Sequence, residues 1–311
     1  MLSMPIKENL RFAVYYAPRG RYRLYVLGSQ IADKFLYPTD YLIGVIGPEG
    51  SGKSTLIKGV FPGLELTNDD EGVNIRRNPI FDFDPEDFFS GHTFHIDVRH
   101  ELAFHQIHEI VEAISRVVFS NRRVIVEHFD LVYQYLGYNA QIIFGIGEEV
   151  RVYRPSILGP SPYKIKEVAE TNLIYRLMAH TAEDMVGLVL NKLYGLKRDI
   201  LHSDVRHGFV IGFSEKPEIE LELLEAEVKK LIENNLPVSP LPGDYISIGD
   251  EKYYCTGKRI HVKNTSEVKN FRLIKQLKFD PISKQYLLIG FIGEEDIEVM
   301  NEYPPLFVDG F

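Results

Sequence analysis

The stretch Gly47-Pro48-Glu49-Gly50-Ser51-Gly52-Lys53-Ser54 satisfies G-x-x-x-x-G-K-[ST] and follows the apolar run Tyr41-Leu42-Ile43-Gly44-Val45-Ile46. It constrains the fold more than any other part of the chain, because it demands a buried strand, a tight glycine loop and a helix in that order. The glycines let backbone N–H groups curl around a phosphate. Lys53 reaches β and γ oxygens, and the Ser54 hydroxyl can ligate Mg²⁺ at the positive end of the helix. Gly47, Glu49, Gly50, Ser51, Gly52, Lys53, Ser54 and Thr55 are therefore expected to bind a nucleoside triphosphate, ATP or GTP, with Mg²⁺. No base-reading motif separates the two nucleotides. The competing reading, a glycine turn that happens to precede a lysine, leaves the strand–loop–helix order unexplained.

Around this motif the first half alternates strand and helix, the pattern of a mostly parallel sheet covered on both faces. The expected domain is an α/β three-layer fold of the P-loop NTPase type. Lys53 to Val60 should form the first helix, stopped by Phe61-Pro62-Gly63. Glu101 to Val118 repeats apolar residues every three or four positions, as an amphipathic helix does. Val124-Ile125-Val126 reads as a strand ending in Glu127, and Ala140 to Tyr153 as two strands around a glycine turn. Proline and glycine then crowd residues 154–162, where the chain is expected to divide into domains of residues 1–159 and 160–311. Helical patterns cover Ile165–Met178, Thr181–Leu193 and Ile219–Glu233, and short β segments follow Pro242. That order predicts an α+β domain.

Composition narrows the function classes. The net charge of −9 argues against a general charge-driven nucleic-acid binder. Local patches remain at Arg19, Arg21 and Arg23, and at Lys258, Arg259, Lys263 and Lys269; either set is also what a solvated face looks like. No apolar run approaches a membrane span and the N-terminus lacks a signal-peptide core, so no membrane partner and a cytoplasmic location are expected. The single cysteine, Cys255, has no internal disulfide partner. It is a buried apolar residue, a metal ligand or a nucleophile.

Carboxylates are the first catalytic candidates. Glu127, at the end of an apolar strand, can hold a Mg²⁺-bound water or polarise an attacking one, with Asp130 as its competitor. Asp69 and Asp70, in Asn68-Asp69-Asp70-Glu71-Gly72, can take a proton from an acceptor hydroxyl, or simply form an Asx-rich turn. Arg151 and Arg154 are candidates for reaching a γ-phosphate. His92, His95, His100, His105 and His108 invite a metal reading, but strand and helix periodicity scatter them over different faces.

The segment Tyr254-Cys255-Thr256-Gly257-Lys258-Arg259-Ile260-His261-Val262-Lys263-Asn264-Thr265-Ser266-Glu267-Val268 resembles the Cys-x-Gly-Thr-His-Val signature and following turn of the alanyl-tRNA synthetase second additional (editing) domain. His180-Thr181-Ala182-Glu183-Asp184-Met185 resembles that domain's His-Thr-Ala-x-His-Leu motif. Val205 to Phe213, the acidic helix and Glu233-Asn234-Asn235-Leu236-Pro237-Val238 follow the same order, so the resemblance covers about residues 165–278. It implies one Zn²⁺ held by His180, Asp184, Cys255 and His261 beside the 3′ end of a mischarged tRNA, and hydrolysis of the wrong aminoacyl ester. Asp184 stands where the family has a histidine, and Cys255 and His261 are two residues further apart. The residues alone are consistent with this: a helix carrying His180 and Asp184 at i, i+4 points both to one face, and a Cys and a His on a turn complete an N/O/S/N set. They are equally consistent with a buried cysteine and a capping histidine. The fusion resembles the group of proteins described as containing this second additional domain, with a P-loop domain in place of the family's small β-barrel.

Three functions follow as expectations. One is an NTP-dependent enzyme whose zinc domain recognises or hydrolyses an aminoacyl ester, on tRNA or on a related amino-acid derivative. Another is a P-loop small-molecule kinase with a zinc-stabilised binding or regulatory module. The third is a nucleotide-gated tRNA-binding protein.

Overall fold

The computed structural model describes residues 12–69, 72–73, 77–87, 91–155, 158–196 and 202–293. Contacts divide the chain into two units, Met1–Leu173 and Ile174–Phe311. The cut falls inside the long helix that follows the proline-rich stretch.

The first unit runs β1 (Phe12–Tyr16), α1 (Arg21–Phe35), β2 (Leu42–Ile46), α2 (Lys53–Val60), β3 (Asn68–Asp69), β4 (Gly72–Val73), β5 (Thr93–Asp97), α3 (Val98–Glu101), α4 (Ile107–Phe119), β6 (Arg123–Glu127), α5 (Tyr133–Leu136), β7 (Ile142–Ile146) and β8 (Glu149–Tyr153), then enters α6 (Pro162–Tyr194). Its six-stranded sheet has the order β1-β8-β7-β2-β6-β5. The β7, β2, β6 and β5 strands are parallel, whereas β8 and β1 add antiparallel to the edge. The central strands are apolar throughout, because each is buried on both faces. On one face Ile43, Val45 and Ile125 pack with Leu24 and Ile31 of α1 and Leu56 and Ile57 of α2. On the other, Leu42, Ile46, Val124 and Val126 pack with Ile110, Ile114 and Val117 of α4. Helices therefore cover both faces, as the alternation predicts. By the same alternation Glu127, two residues beyond Ile125, lies on the α2 side.

Two glycines set the position of α2. A Cβ on Gly59 would stand 2.1 Å from the Tyr25 carbonyl oxygen, and one on Gly28 would stand 2.5 Å from that of Leu56. The α1 and α2 backbones touch there, which fixes the helix that begins at Lys53.

The helix expected from Glu101 starts at Ile107. Asp97 caps the short α3 instead, its Oδ1 accepting from the His100 N–H at 3.2 Å. A turn follows, and α4 restarts where the Gln106 N–H donates to Glu109 Oε2 at 2.7 Å. Phe104, which extended the apolar periodicity, points outward and is 71% exposed.

The second unit takes the rest of α6, then β9 (His202–Val205), β10 (Gly208–Phe213), α7 (Leu221–Glu233), β11 (Val238–Leu241), β12 (Tyr245–Ile248), β13 (Glu251–Tyr254), β14 (Arg272–Leu273), β15 (Lys278–Asp280) and β16 (Gln285–Phe291). All its strand pairs are antiparallel, in a sheet β14-β16-β10-β9 with β15 on β16, and a second sheet β11-β12-β13. Met185, Val186 and Val189 of α6 share its core with Phe209, Leu224, Val228, Ile246 and Ile248. The two helices expected over 165–193 are one. Nothing at Ala179-His180 breaks the ladder, and the Thr181 hydroxyl bonds back to the Leu177 carbonyl at 2.9 Å within the helix. Among the described residues no helix is long and apolar enough to cross a membrane.

Glu225 ties α7 to β14. Burial alone would raise its pKa, but hydrogen bonds from Lys229, Lys275 and the Leu273 N–H, each 2.7–2.8 Å, outweigh that and bring the carboxyl down to about 2. A depressed folded-state pKa contributes stability above the unfolded value and loses it as pH falls toward the folded one. Glu225→Gln is expected to cost on the order of 2 kcal/mol at pH 7, discounted because both lysines are half-exposed. Urea denaturation should show that deficit shrinking by more than half by about pH 3. A pH-independent deficit would assign the effect to packing.

Candidate functional site

At the C-terminal end of β2 the chain turns through Gly47–Gly52 and enters α2 at Lys53. Gly50 and Gly52 have φ of 75° and 95°, the left-handed region that suits glycine. A Cβ at Gly47 would stand 2.6 Å from the Ile146 carbonyl oxygen. The loop is thus held against the end of β7. Lys53 is buried, and its ammonium donates across the loop to the Pro48 carbonyl at 3.1 Å. The Ser51 N–H reaches the same oxygen at 3.3 Å. Ser54 and Thr55 follow in the first turn of α2, half-buried, and Glu49 stands exposed, its carboxylate 3.7 Å from Arg99. In α/β sheets ligands bind at the carboxyl ends of the parallel strands.

Glu127 comes to the same edge on the neighbouring strand. Its Oε2 lies 3.9 Å from Lys53 Nζ and its Oε1 lies 3.1 Å from His95 Nε2. Asp97 is its register partner on β5, and His128 follows it in left-handed conformation, φ 57°. Donor atoms of Asp97, Glu127 and His128 lie within 4.8 Å of one another, close enough to hold a metal ion. Burial, and then Lys53, lower the His128 pKa from its ordinary value, against the pull of Asp97, Glu127 and Asp130.

Asp130 is also buried, but Lys166 pairs with it at 2.8 Å. That hydrogen bond raises the Lys166 pKa and occupies Asp130, so Glu127 is the carboxylate that faces Lys53. Asp69 pairs with Gly72 in the β3–β4 hairpin, its side chain outside the described residues, and Asp70 lies outside them altogether. The two arginines belong elsewhere. Arg154 forms a bidentate pair with Asp40 at 2.9 and 2.7 Å, at the opposite, N-terminal end of β2, and stacks over Tyr37. Arg151 is bound to Glu149 at 2.6 Å.

The five histidines do not converge. His92 meets Arg122, His105 stacks on Phe81, and His100 leans on Phe104. His95 alone of the five is hydrogen-bonded to Glu127 among the described residues. Asp97 and His128 are additions that sequence reading missed. Only the β5–β6 register brings Asp97 level with Glu127, whereas His128 is its neighbour in the chain, set there by its left-handed backbone.

In the second unit α6 carries His180 and Asp184 one turn apart, while Cys255 comes directly after β13 and His261 follows on the next turn. All ligand atoms of these four lie within 4.8 Å of one another. Cys255 Sγ is 3.4 Å from His180 Nε2 and 3.8 Å from His261 Nε2. Asp184 Oδ2 is 3.0 Å from His261 Nε2 and 3.8 Å from His180 Nε2. Donors around a tetrahedral zinc ion stand about 3.3–3.6 Å apart, given bonds of about 2.0–2.3 Å. The observed edges bracket that range. Both imidazoles turn Nδ1 to a backbone carbonyl, His180 to Ile260 at 3.0 Å and His261 to Lys258 at 3.4 Å. This leaves both Nε2 lone pairs aimed at the centre, the outer-shell arrangement that metal-ligating histidines use. The four residues can hold a metal ion, and the N/O/S/N set suits zinc. No protein-family model matches the chain, and no curated protein matches it either.

Proposed function

We propose that the chain is an NTP-dependent enzyme. Its first unit acts as a P-loop domain for ATP or GTP with Mg²⁺. Its second unit acts as a Zn²⁺-holding module of the alanyl-tRNA synthetase editing type that recognises an aminoacyl ester, on a tRNA acceptor end or a related amino-acid derivative. The observation that carries this reading is Lys53 facing Glu127 at 3.9 Å at the mouth of the glycine loop. Lys53 and the loop N–H groups put positive charge where a transferring phosphoryl group gathers negative charge. Glu127, fixed from behind by His95, is placed to orient a water or an acceptor hydroxyl. Ser54 would hold Mg²⁺, which neutralises phosphate charge when bound.

His180, Asp184, Cys255 and His261 would hold Zn²⁺. Four protein donors would fill all four positions that zinc usually takes, and with Asp184 and the Cys255 thiolate both anionic the loaded centre would carry no net charge. Such a shell favours recognition and stability over hydrolysis. It also supports the second reading, a small-molecule kinase with this unit as its binding or regulatory module.

The test is nucleotide turnover by the purified protein with Mg²⁺ and ATP or GTP, alone and with alanine tRNA either uncharged or charged with serine or glycine. Turnover that rises with charged over uncharged tRNA is the expected result, and loss of the ester beside it would assign hydrolysis to the second unit as well. Stimulation by a small hydroxyl acceptor selects the kinase. Salt-dependent tRNA binding without turnover selects a nucleotide-gated binder, and failure to bind either nucleotide removes the reading.

A further inference from the structure

We propose that His95 is a positioning residue for Glu127, and that Thr67 sets the direction of its hydrogen bond. The proposal rests on the nucleotide-site reading above. The Thr67 backbone N–H can only donate, and it meets His95 Nδ1 at 3.2 Å. Nδ1 must present its lone pair there, so the ring proton sits on Nε2. From Nε2, 3.1 Å away, it is donated to Glu127 Oε1. The two oxygens of Glu127 are thereby made unequal: Oε1 is tied to His95, and Oε2 faces Lys53. The His95 side chain is fully buried and that of Glu127 is 4% exposed, so no water competes for the bond.

The ring is itself held by its surroundings. The Thr67 hydroxyl, 2.9 Å from Nδ1, gives its single proton to the same lone pair, and the His95 carbonyl accepts from Asn78 Nδ2 at 3.1 Å. Asn78 also donates to Glu101 Oε1 at 3.2 Å and accepts from the Ile80 N–H at 3.1 Å. Thr67 and Asn78 thus clamp β5 at His95, and the parallel register with β6 carries the ring to Glu127. This arrangement also excludes His95 as a metal ligand, since one nitrogen accepts a proton-bearing donor and the other carries the proton.

Two amide variants separate the two ends of the relay. In His95→Gln the amide nitrogen falls near Nε2 and still donates to Glu127, whereas in His95→Asn the shorter amide still accepts from Thr67 but cannot reach Glu127. The expected result is that Gln keeps kcat for Mg·NTP turnover within about threefold of wild type. Asn is expected to lower it by about tenfold or more, with KM unchanged and the two melting temperatures similar. Equal turnover in the two variants, or a change confined to KM, overturns the proposal. Nitrogen-15 NMR of the wild-type histidines provides a readout independent of catalysis. A proton on Nδ1 of His95 overturns the proposal even in a protein without turnover, whereas absence of nucleotide binding by wild type with the proton on Nε2 overturns only the nucleotide-site reading.

Discussion

Lys53→Ala is expected to weaken binding of Mg·ATP and Mg·GTP by about 100-fold or more, while Glu127→Gln leaves binding intact and slows turnover by a similar factor. The two effects differ because the two groups meet the nucleotide at different stages. Lys53 is buried, with its ammonium offered one carbonyl and a carboxylate 3.9 Å away. A charge so weakly solvated is poised for phosphate oxygens in the ground state as well as in the transition state, and its loss is read as affinity. Glu127 carries a negative charge that adds nothing to anion binding. Its contribution arises when a proton moves or a nucleophile is oriented, and its loss is read as kcat. Equilibrium binding of a fluorescent nucleotide, beside single-turnover hydrolysis, separates the two. If Lys53→Ala bound both nucleotides like wild type, the loop would be a turn and not a phosphate site.

How much of this was legible in the sequence depended on distance along the chain. Lys53 and its glycines could be read because the loop, the preceding strand and the following helix are contiguous, so local sterics alone determine the site. Glu127 was legible as an acid at a strand end. Preferring it to Asp130 rested on no partner visible in sequence; the pairing of Asp130 with Lys166 of α6 appears only in three dimensions. Asp97 and the orientation of His95 depended on which strands are neighbours, and strand order is a global property that periodicity does not carry; His128, next to Glu127 in the chain, depended on a left-handed backbone that the sequence does not announce. The late start of α4 illustrates the same limit locally. Ala103 and Phe104 extend the apolar spacing, but Asp97 and Glu109 supply two separate caps, and capping decides where a helix begins. In the second unit His180 and Asp184 share a helix face by spacing alone. Their meeting with Cys255 and His261 was implied only by the resemblance to the editing domain, and the structure brings the four together.

On the reading that His180, Asp184, Cys255 and His261 hold Zn²⁺, chelation of the ion should destabilise the second unit strongly. His180, Asp184 and Cys255 are buried, and the His261 side chain is 4% exposed. Emptied of a cation, the cluster would leave a buried carboxylate and a buried thiol facing two imidazole lone pairs, a set whose mutual repulsion and desolvation only a cation or protons can offset. A structural ion of this kind contributes folding free energy outright. The antiparallel core around Phe209, Val228 and Ile246 supplies part of the stability independently, so chelation is expected to loosen the unit without unfolding it completely. Hydrogen exchange should accelerate in the second half of α6 and in residues 255–262, while the β2–α2 region keeps its protection because its own core holds it. Asp184→Asn keeps shape and removes the charge, and should weaken metal binding by about 100-fold or more, since even outer-shell changes cost about 10–100-fold. Cobalt substitution reads the same centre by its thiolate charge-transfer band, which Cys255→Ser should abolish. Unchanged metal content in Cys255→Ser and Asp184→Asn, together with unchanged exchange after chelation, would mean that the four side chains form a buried polar cluster and not a metal centre.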